Sequence, residues 1–176
     1  DAFVEVCEGQ GLDKEFERRR RVSLGDYHEM IAKKTGCVIA ASTEIGAIVG
    51  GGSPRHIASL RTFGRLLGQA FQIQDDLLDI TGDEEKFGKA IGGDIVEGKK
   101  TYLLIKALEL ADEHDRKFIG SLVPRNGITK TQVARVRNIY ERSGAIHAAQ
   151  AEIRACTRSA QRALGPLARS RSKETL

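Results

Sequence analysis

The sequence has 176 residues, of which 40% are hydrophobic and 30% are charged, and it carries a net charge of +4. This composition is typical of a globular domain with its own core, and it excludes a disordered chain. No apolar run approaches the roughly 20 residues of a membrane-spanning helix, and the three cysteines match neither a disulfide framework nor a zinc site. We therefore expect a cytoplasmic protein without a transmembrane segment. The mild positive charge would suit nucleic acid, an anionic membrane surface or a phosphorylated small molecule.

Helical periodicity predicts α-helices along nearly the whole chain, and no alternating pattern indicates a strand. The first residues, DAFVEVCEGQG, are predicted to be the end of a helix that is already under way, and residues 24–49 form a second helix with a kink at Gly36. Ser53 and Pro54 begin a long helix that ends near Thr81, because a proline at the first helical position loses no hydrogen bond.

A glycine-bearing loop follows at residues 82–100. Helices resume at residue 101, and the last long one is predicted to cover 129–164. The final segment, 165–176, is basic and polar, and we expect it to be a frayed tail. No linker or internal repeat divides the chain, so residues 1–176 are predicted to belong to one all-α domain.

Three aspartates, Asp75, Asp76 and Asp79, lie in the otherwise apolar segment FQIQDDLLDI of the long helix. At about 100° per residue they share one narrow stripe, and the remaining directions are apolar nearly all the way round. Clustered carboxylates that line a cavity repel one another unless a cation holds them ionised. Mg²⁺ prefers oxygen ligands, so the stripe predicts a Mg²⁺ site. A solvated acidic face is the alternative interpretation of the same spacing.

Groups suited to binding phosphate follow in the segment FGKAIGGDIVEGKKTY, where four glycines accompany Lys89 and Lys99. Glycines let a backbone approach an anion closely, and lysines add positive charge. The segment also reads GxxxxGK, but neither Ser nor Thr follows and no strand precedes it, so it is not a P-loop. Lys34 and Thr35, beside the expected kink, could converge on a phosphate as well, although a solvated Lys–Lys pair explains them equally.

Four segments, in order, resemble motifs of the trans-isoprenyl diphosphate synthases, the polyprenyl synthetase family. CEGQGLD resembles the family's CxGQxxD segment, and YHEMIAKKTG resembles its YxxMIxxKT segment. GQAFQIQDDLLDITGD resembles the second aspartate-rich motif, and FGKAIGGDIVEGKKTY resembles the GK…DxxEGKxT segment. The four segments cover residues 7–102, and their combination is far more specific than DDxxD alone.

The resemblance implies an all-α helical bundle of the isoprenoid synthase type, of which this chain would be the C-terminal part. It also implies a Mg²⁺-dependent prenyltransferase. Diphosphate leaves an allylic substrate, isopentenyl diphosphate attacks the resulting carbocation head-to-tail, and a proton is lost. The implied partners are isopentenyl diphosphate, an allylic diphosphate and a second copy of the protein in a homodimer.

The family's roles carry over to the matching positions of this sequence. The implied metal ligands are Asp75, Asp76 and Asp79. The implied catalytic residues, which act at the allylic group and its diphosphate, are Lys34, Thr35, Gln72 and Asp75. The substrate-binding residues, which meet the diphosphates or line the same cavity, are Lys34, Thr35, Phe71, Gln72, Lys89, Lys99, Gln10 and Asp13.

The family also carries a first aspartate-rich motif, and basic residues for isopentenyl diphosphate, upstream of CxGQxxD. None of these occurs in this sequence. We therefore expect the chain alone to be an inactive fragment that needs an N-terminal half. Product length, which the family sets near the first motif, does not follow from these residues.

Three other functions compete with this one. A class I terpene cyclase also uses DDxxD, but such cavities are typically lined with aromatic residues, whereas this chain is 5% aromatic and has no tryptophan. A non-catalytic partner subunit or dimerisation fragment would not need the aspartates and lysines that are present here. Nucleic-acid binding lacks a recognition motif and interleaved aromatic residues.

Overall fold

The computed structural model describes residues 2–82, 91–122, 127–168 and 170–175. Every regular element in these residues is helical, which confirms the all-α prediction. The elements in chain order are α1 (Ala2–Arg18), α2 (Leu24–Ile31), a π-helical turn (Ala32–Gly36), α3 (Cys37–Val49), α4 (Pro54–Thr81), α5 (Gly93–Glu97), α6 (Tyr102–Leu110), α7 (Glu113–Ser121), α8 (Lys130–Arg142), α9 (Ala145–Ala163) and α10 (Arg171–Thr175). Within the described ranges, no helix combines the length and apolar character needed to cross a bilayer.

Helix α4 has the predicted bounds. The segment before it also begins and ends where predicted, at Leu24 and Val49, but its interruption is a five-residue turn and not a single kink at Gly36. Helix α4 begins at Pro54 and ends at Thr81. The predicted helix 24–49 is divided by the π-helical turn, in which Cys37 N donates a hydrogen bond to Ala32 O. Such a turn holds one more residue in each hydrogen-bonded loop than an α-helix does, so it interrupts the helix without ending it.

The predicted helix 129–164 is divided into α8 and α9. Thr129 caps the start of α8, since its hydroxyl accepts a hydrogen bond from Gln132 N at 3.3 Å. The division falls at Gly144, whose φ is 84°. A glycine in this left-handed conformation commonly ends an α-helix, so α9 has to start anew after it. Helix α10 lies within 165–176, and fraying of that tail stays a prediction.

The chain folds into two compact units, each assembled from distant parts of the sequence. The first comprises Asp1–Leu12, His28–Gln72 and Glu152–Leu176. The second comprises Asp13–Tyr27 and Ile73–Ala151. The predicted site residues are therefore distributed over both units.

In the first unit, α4 contacts both α3 and the end of α9. Thr43 Oγ1 on α3 donates a hydrogen bond to Leu60 O on α4 at 2.7 Å. Phe63 on α4 is buried together with Ala160 and Leu164. Full burial of a side chain such as phenylalanine contributes about 1.5–3 kcal/mol, so this apolar cluster fixes the first part of α4.

In the second unit, α6 and α8 supply most of the largest buried side chains. Leu103 and Ile139 are 0% exposed, and Val136 is 1% exposed. Beside this core, Arg142 Nε at the end of α8 donates a hydrogen bond to Asp115 Oδ2 on α7 at 2.8 Å. A guanidinium bound to a carboxylate in this way is stronger than a neutral hydrogen bond, and it joins the two helices.

Candidate functional site

The π-helical turn carries two of the predicted site residues, Lys34 and Thr35. Both are half-buried and belong to the first unit. The interruption expected at Gly36 thus covers the whole segment Ala32–Gly36. Short π-helical turns are frequent at functional sites, because they give side chains directions that a regular α-helix does not.

Two glycines let neighbouring helices approach this turn closely. A Cβ atom added at Gly9 of α1 would lie 2.7 Å from Lys34 Cα, and one added at Gly68 of α4 would lie 2.6 Å from Gly36 Cα. Closely packed interiors leave no room for such contacts, so a larger residue would displace the turn. The placement of Lys34 and Thr35 therefore depends on glycine at both positions.

Thr35 and Gln72, both predicted as site residues, contact each other. Thr35 Oγ1 donates a hydrogen bond to Gln72 Oε1 at 2.8 Å. Because the hydroxyl hydrogen is used in this bond, the oxygen lone pairs are directed elsewhere. Two other predicted residues of the first unit, Phe71 and Gln10, are solvent-exposed, Phe71 by 60%.

Asp76, in the second unit, is the most buried of the three aspartates, with 5% of its surface exposed. Its Oδ2 atom accepts hydrogen bonds from the Tyr27 hydroxyl at 2.7 Å and from Tyr102 N at 2.9 Å. These two donors offset the cost of burying a charge. Burial and the charge of Asp76 hold the pKa of Tyr27 well above its ordinary range, so the hydroxyl stays protonated and donates.

Asp79 is half-buried and contacts the start of α5. Its Oδ2 atom accepts a hydrogen bond from Asp94 N at 3.2 Å, and its backbone oxygen accepts one from Gly92 N at 2.8 Å. Burial and the nearby charge of Asp94 raise the pKa of Asp79 to about 6. Asp75, by contrast, is exposed. The three aspartates of the predicted stripe thus have three different surroundings.

Lys99 lies beside the same carboxylate of Asp94. Its Nζ atom donates a hydrogen bond to Asp94 Oδ1 at 2.7 Å and lies 3.0 Å from Glu97 Oε2. Burial opposes the charge on Lys99, but the hydrogen bonds to these two carboxylates outweigh it and raise the pKa above its ordinary value. Asp13, also in the second unit, is 7% exposed. Lys89 lies outside the described residues.

Sequence reasoning missed three residues that contact the predicted site: Tyr27, Asp94 and Tyr102. All three lie in the segments YHEMIAKKTG and FGKAIGGDIVEGKKTY, in which other residues are the predicted site residues. One signal was present, because a buried carboxylate such as Asp76 requires hydrogen-bond donors. Nothing in the spacing, however, indicates which residues those donors are.

The groups around Asp76 and Asp79 offer oxygen ligands, the type that Mg²⁺ prefers. The raised pKa of Asp79, caused by burial and by the charge of Asp94, also indicates that its hydrogen bonds compensate its ionised form only in part, and a cation would stabilise that form further. Over the described ranges, no three histidine, cysteine, aspartate or glutamate side chains stand together as a metal-binding group. Asp76 is turned toward Tyr27 and Tyr102, whereas Asp79 is turned toward Asp94. The donor type therefore fits Mg²⁺, and metal binding by the aspartates stays a prediction.

Comparison with known proteins identifies one family. The family model for polyprenyl synthetase matches residues 1–142. A short chain isoprenyl diphosphate synthase from Methanothermobacter thermautotrophicus is 48% identical over 176 residues, which are 100% of this chain and 54% of that protein. The chain thus spans about half the length of this relative.

Solved structures agree with the sequence comparison. The geranylgeranyl pyrophosphate synthetase from Pyrococcus horikoshii Ot3 superposes with a TM-score of 0.89 at 36% identity, covering 98% of this chain and 52% of that one. A decaprenyl diphosphate synthase from Rhodobacter capsulatus gives a TM-score of 0.89 at 30% identity, covering 99% of this chain and 54% of that one. The chain belongs to the polyprenyl synthetase family.

Proposed function

We propose that this chain is part of an isoprenyl diphosphate synthase, which joins isopentenyl diphosphate head-to-tail to an allylic diphosphate. The observation that carries the proposal is the cluster of Asp79, Asp94 and Lys99, in the same unit as the buried Asp76. Carboxylates and a strongly basic lysine within hydrogen-bonding distance suit a site that binds a metal ion and a diphosphate together. The names of the relatives support the same reaction class.

The difficult step of this reaction is the departure of diphosphate from the allylic carbon, because it separates charge. Bound Mg²⁺ would stabilise the negative charge that develops on the departing diphosphate. The residues proposed to hold it are Asp75, Asp76 and Asp79. Lys99 and Lys89 would bind the same diphosphate as fixed positive charges. Lys99 suits this role since its raised pKa keeps it protonated.

The π-helical turn would act at the allylic end of the substrate. Thr35 gives its hydroxyl hydrogen to Gln72, so its oxygen lone pairs can face a developing carbocation. Lys34, from the same turn, would bind the allylic diphosphate. The remaining substrate contacts are proposed for the residues that the family resemblance adds: Phe71, Gln10 and Asp13.

We also propose that the active protein is a cytoplasmic homodimer, and that each copy includes an N-terminal half that carries the first aspartate-rich motif. Its three cysteines are free thiols, as in most cytoplasmic proteins. The relatives are named for short-chain, geranylgeranyl and decaprenyl products, so the proposal concerns the reaction and not the length of the product.

The proposal is tested by a product assay with the full-length protein, Mg²⁺, geranyl diphosphate and labelled isopentenyl diphosphate. Asp75→Asn should lower kcat at least about 100-fold, the scale of losing one main group from a charge-stabilising site. The matched control is Glu113→Gln, which removes an exposed carboxylate 2.7 Å from Lys117 and should leave turnover unchanged. Normal turnover of Asp75→Asn would contradict the metal assignment, and absence of prenyl products from wild type would contradict the reaction.

A further inference from the structure

Asp76 is held by two donors that come from different parts of the chain. The Tyr27 hydroxyl, from α2, and Tyr102 N, from the start of α6, both donate to the same oxygen, Oδ2. Two short hydrogen bonds to one oxygen leave the carboxylate little freedom to rotate. The direction of the Asp76 side chain is therefore set by groups outside its own helix.

We propose that Tyr27 is a positioning residue, which orients Asp76 for binding the metal–diphosphate group. This inference rests on the proposed function, in which Asp76 is a metal ligand. Residues that hydrogen-bond to a metal ligand fix its orientation, and their loss typically weakens metal binding 10–100-fold. Tyr27 would act through Asp76 and would not itself touch the substrate.

Tyr27 is itself fixed well enough to serve this purpose. It is 1% exposed, and its ring meets the Tyr102 ring edge to face, with the centroids 6.0 Å apart. A buried ring that is packed in this way has one available direction for its hydroxyl. Substitution can remove the Tyr27 donor, whereas the Tyr102 donor is a backbone N–H that any side-chain substitution other than proline retains.

The chain offers a matched control in Tyr140. This tyrosine is also buried in the second unit, with 2% of its surface exposed, and its hydroxyl is hydrogen-bonded to Thr101. Tyr27→Phe and Tyr140→Phe each remove one buried hydroxyl and keep the ring. A general loss of stability should therefore affect both variants similarly, whereas loss of positioning should affect only Tyr27→Phe.

The experiment measures binding of Mn²⁺ to the full-length protein by calorimetry, with and without inorganic diphosphate. Mn²⁺ takes the same oxygen ligands as Mg²⁺. Wild type should bind Mn²⁺ tightly only when diphosphate is present, because the three aspartates alone supply too few ligands for tight binding. Tyr27→Phe should weaken this binding at least about tenfold, and Tyr140→Phe should change it less than about twofold. In the product assay, Tyr27→Phe should raise the Mg²⁺ concentration for half-maximal rate and largely retain kcat at saturating Mg²⁺.

The results distinguish a positioning role of Tyr27 from a purely structural role and from a failure of the metal assignment. Unchanged Mn²⁺ binding by Tyr27→Phe would overturn the positioning role and leave the proposed function intact. Equal weakening in Tyr27→Phe and Tyr140→Phe would show a structural role and would also overturn it. Absence of diphosphate-dependent binding in wild type would overturn the metal assignment and the inference together.

Discussion

Replacing Asp79 with asparagine should stabilise the fold above pH 6 and have little effect near pH 4. The folded chain raises the pKa of this carboxyl from 3.8 to about 6, first through burial and then through the charge of Asp94. The folded state therefore prefers the protonated form. The stability that this carboxyl contributes through its raised pKa is fully present below about pH 3.8. It falls as the pH rises and is lost above about pH 6.

The size of the effect follows from the two pKa values. The gap from 3.8 to about 6 corresponds to about 3 kcal/mol, at about 1.4 kcal/mol per pH unit. Asp79 is half-buried, so solvent screens part of this cost, and we expect about 1–2 kcal/mol. Asparagine retains an oxygen that can accept the hydrogen bond from Asp94 N, and it does not ionise.

Urea unfolding of the full-length protein, followed by circular dichroism between pH 4 and pH 7.5 with EDTA present, measures this difference. The free energy of unfolding of Asp79→Asn should exceed that of wild type at pH 7.5, and the two values should converge at pH 4. Glu113→Gln is the control for removing an exposed carboxylate. Parallel pH profiles for wild type and Asp79→Asn, or a less stable variant at pH 7.5, would refute the reasoning.

Two other predictions concern the π-helical turn and the isolated chain. Gly68→Ala should destabilise the chain by about 1–3 kcal/mol through overpacking against Gly36, and it should raise KM for the allylic diphosphate in the full-length protein. Gly46→Ala, whose added Cβ meets nothing within 4 Å, should be neutral or stabilising in the same unfolding assay, and equal losses in both variants would contradict the close approach. The 176-residue chain alone should make no isoprenoid diphosphates and should self-associate, because apolar side chains such as Ile45 and Val49 are 59% and 83% exposed. Product extraction and light scattering test this, and multiple-turnover synthesis by the isolated chain would show that no further half is required.

The helices were predictable where local chemistry determines them. Ser53 and Pro54 mark the start of α4, and its apolar positions continue to Thr81. The π-helical turn was not predictable, because one extra residue in a hydrogen-bonded loop hardly changes the spacing of apolar residues. The division at Gly144 was also missed, since glycine is tolerated inside many helices and only its φ of 84° shows that it ends this one.

In the candidate site, the sequence pointed to the aspartates but not to the groups that contact them. The aspartates were identified because acids in an apolar helix need compensation, and the family resemblance supplied their roles. The donor that compensates Asp76 could not be identified, because Tyr27 lies 49 residues away in the sequence. The contact of Asp79 with Asp94 depends in the same way on how the chain returns to the end of α4. Such pairings are decided by tertiary structure, which the spacing of residues along one helix does not contain.

The π-helical turn makes the site sensitive to deletions as well as to substitutions. Removing one residue from Ala32–Gly36 would permit an uninterrupted α-helix through this segment, with regular hydrogen bonds throughout. It would also rotate the residues on one side of the deletion by about 100° relative to those on the other. Thr35 and Gln72 would then no longer keep their present contact. A shorter chain with a more regular backbone would thus lose the site, and we expect selection to preserve the residue count here even where it tolerates changes of side chain.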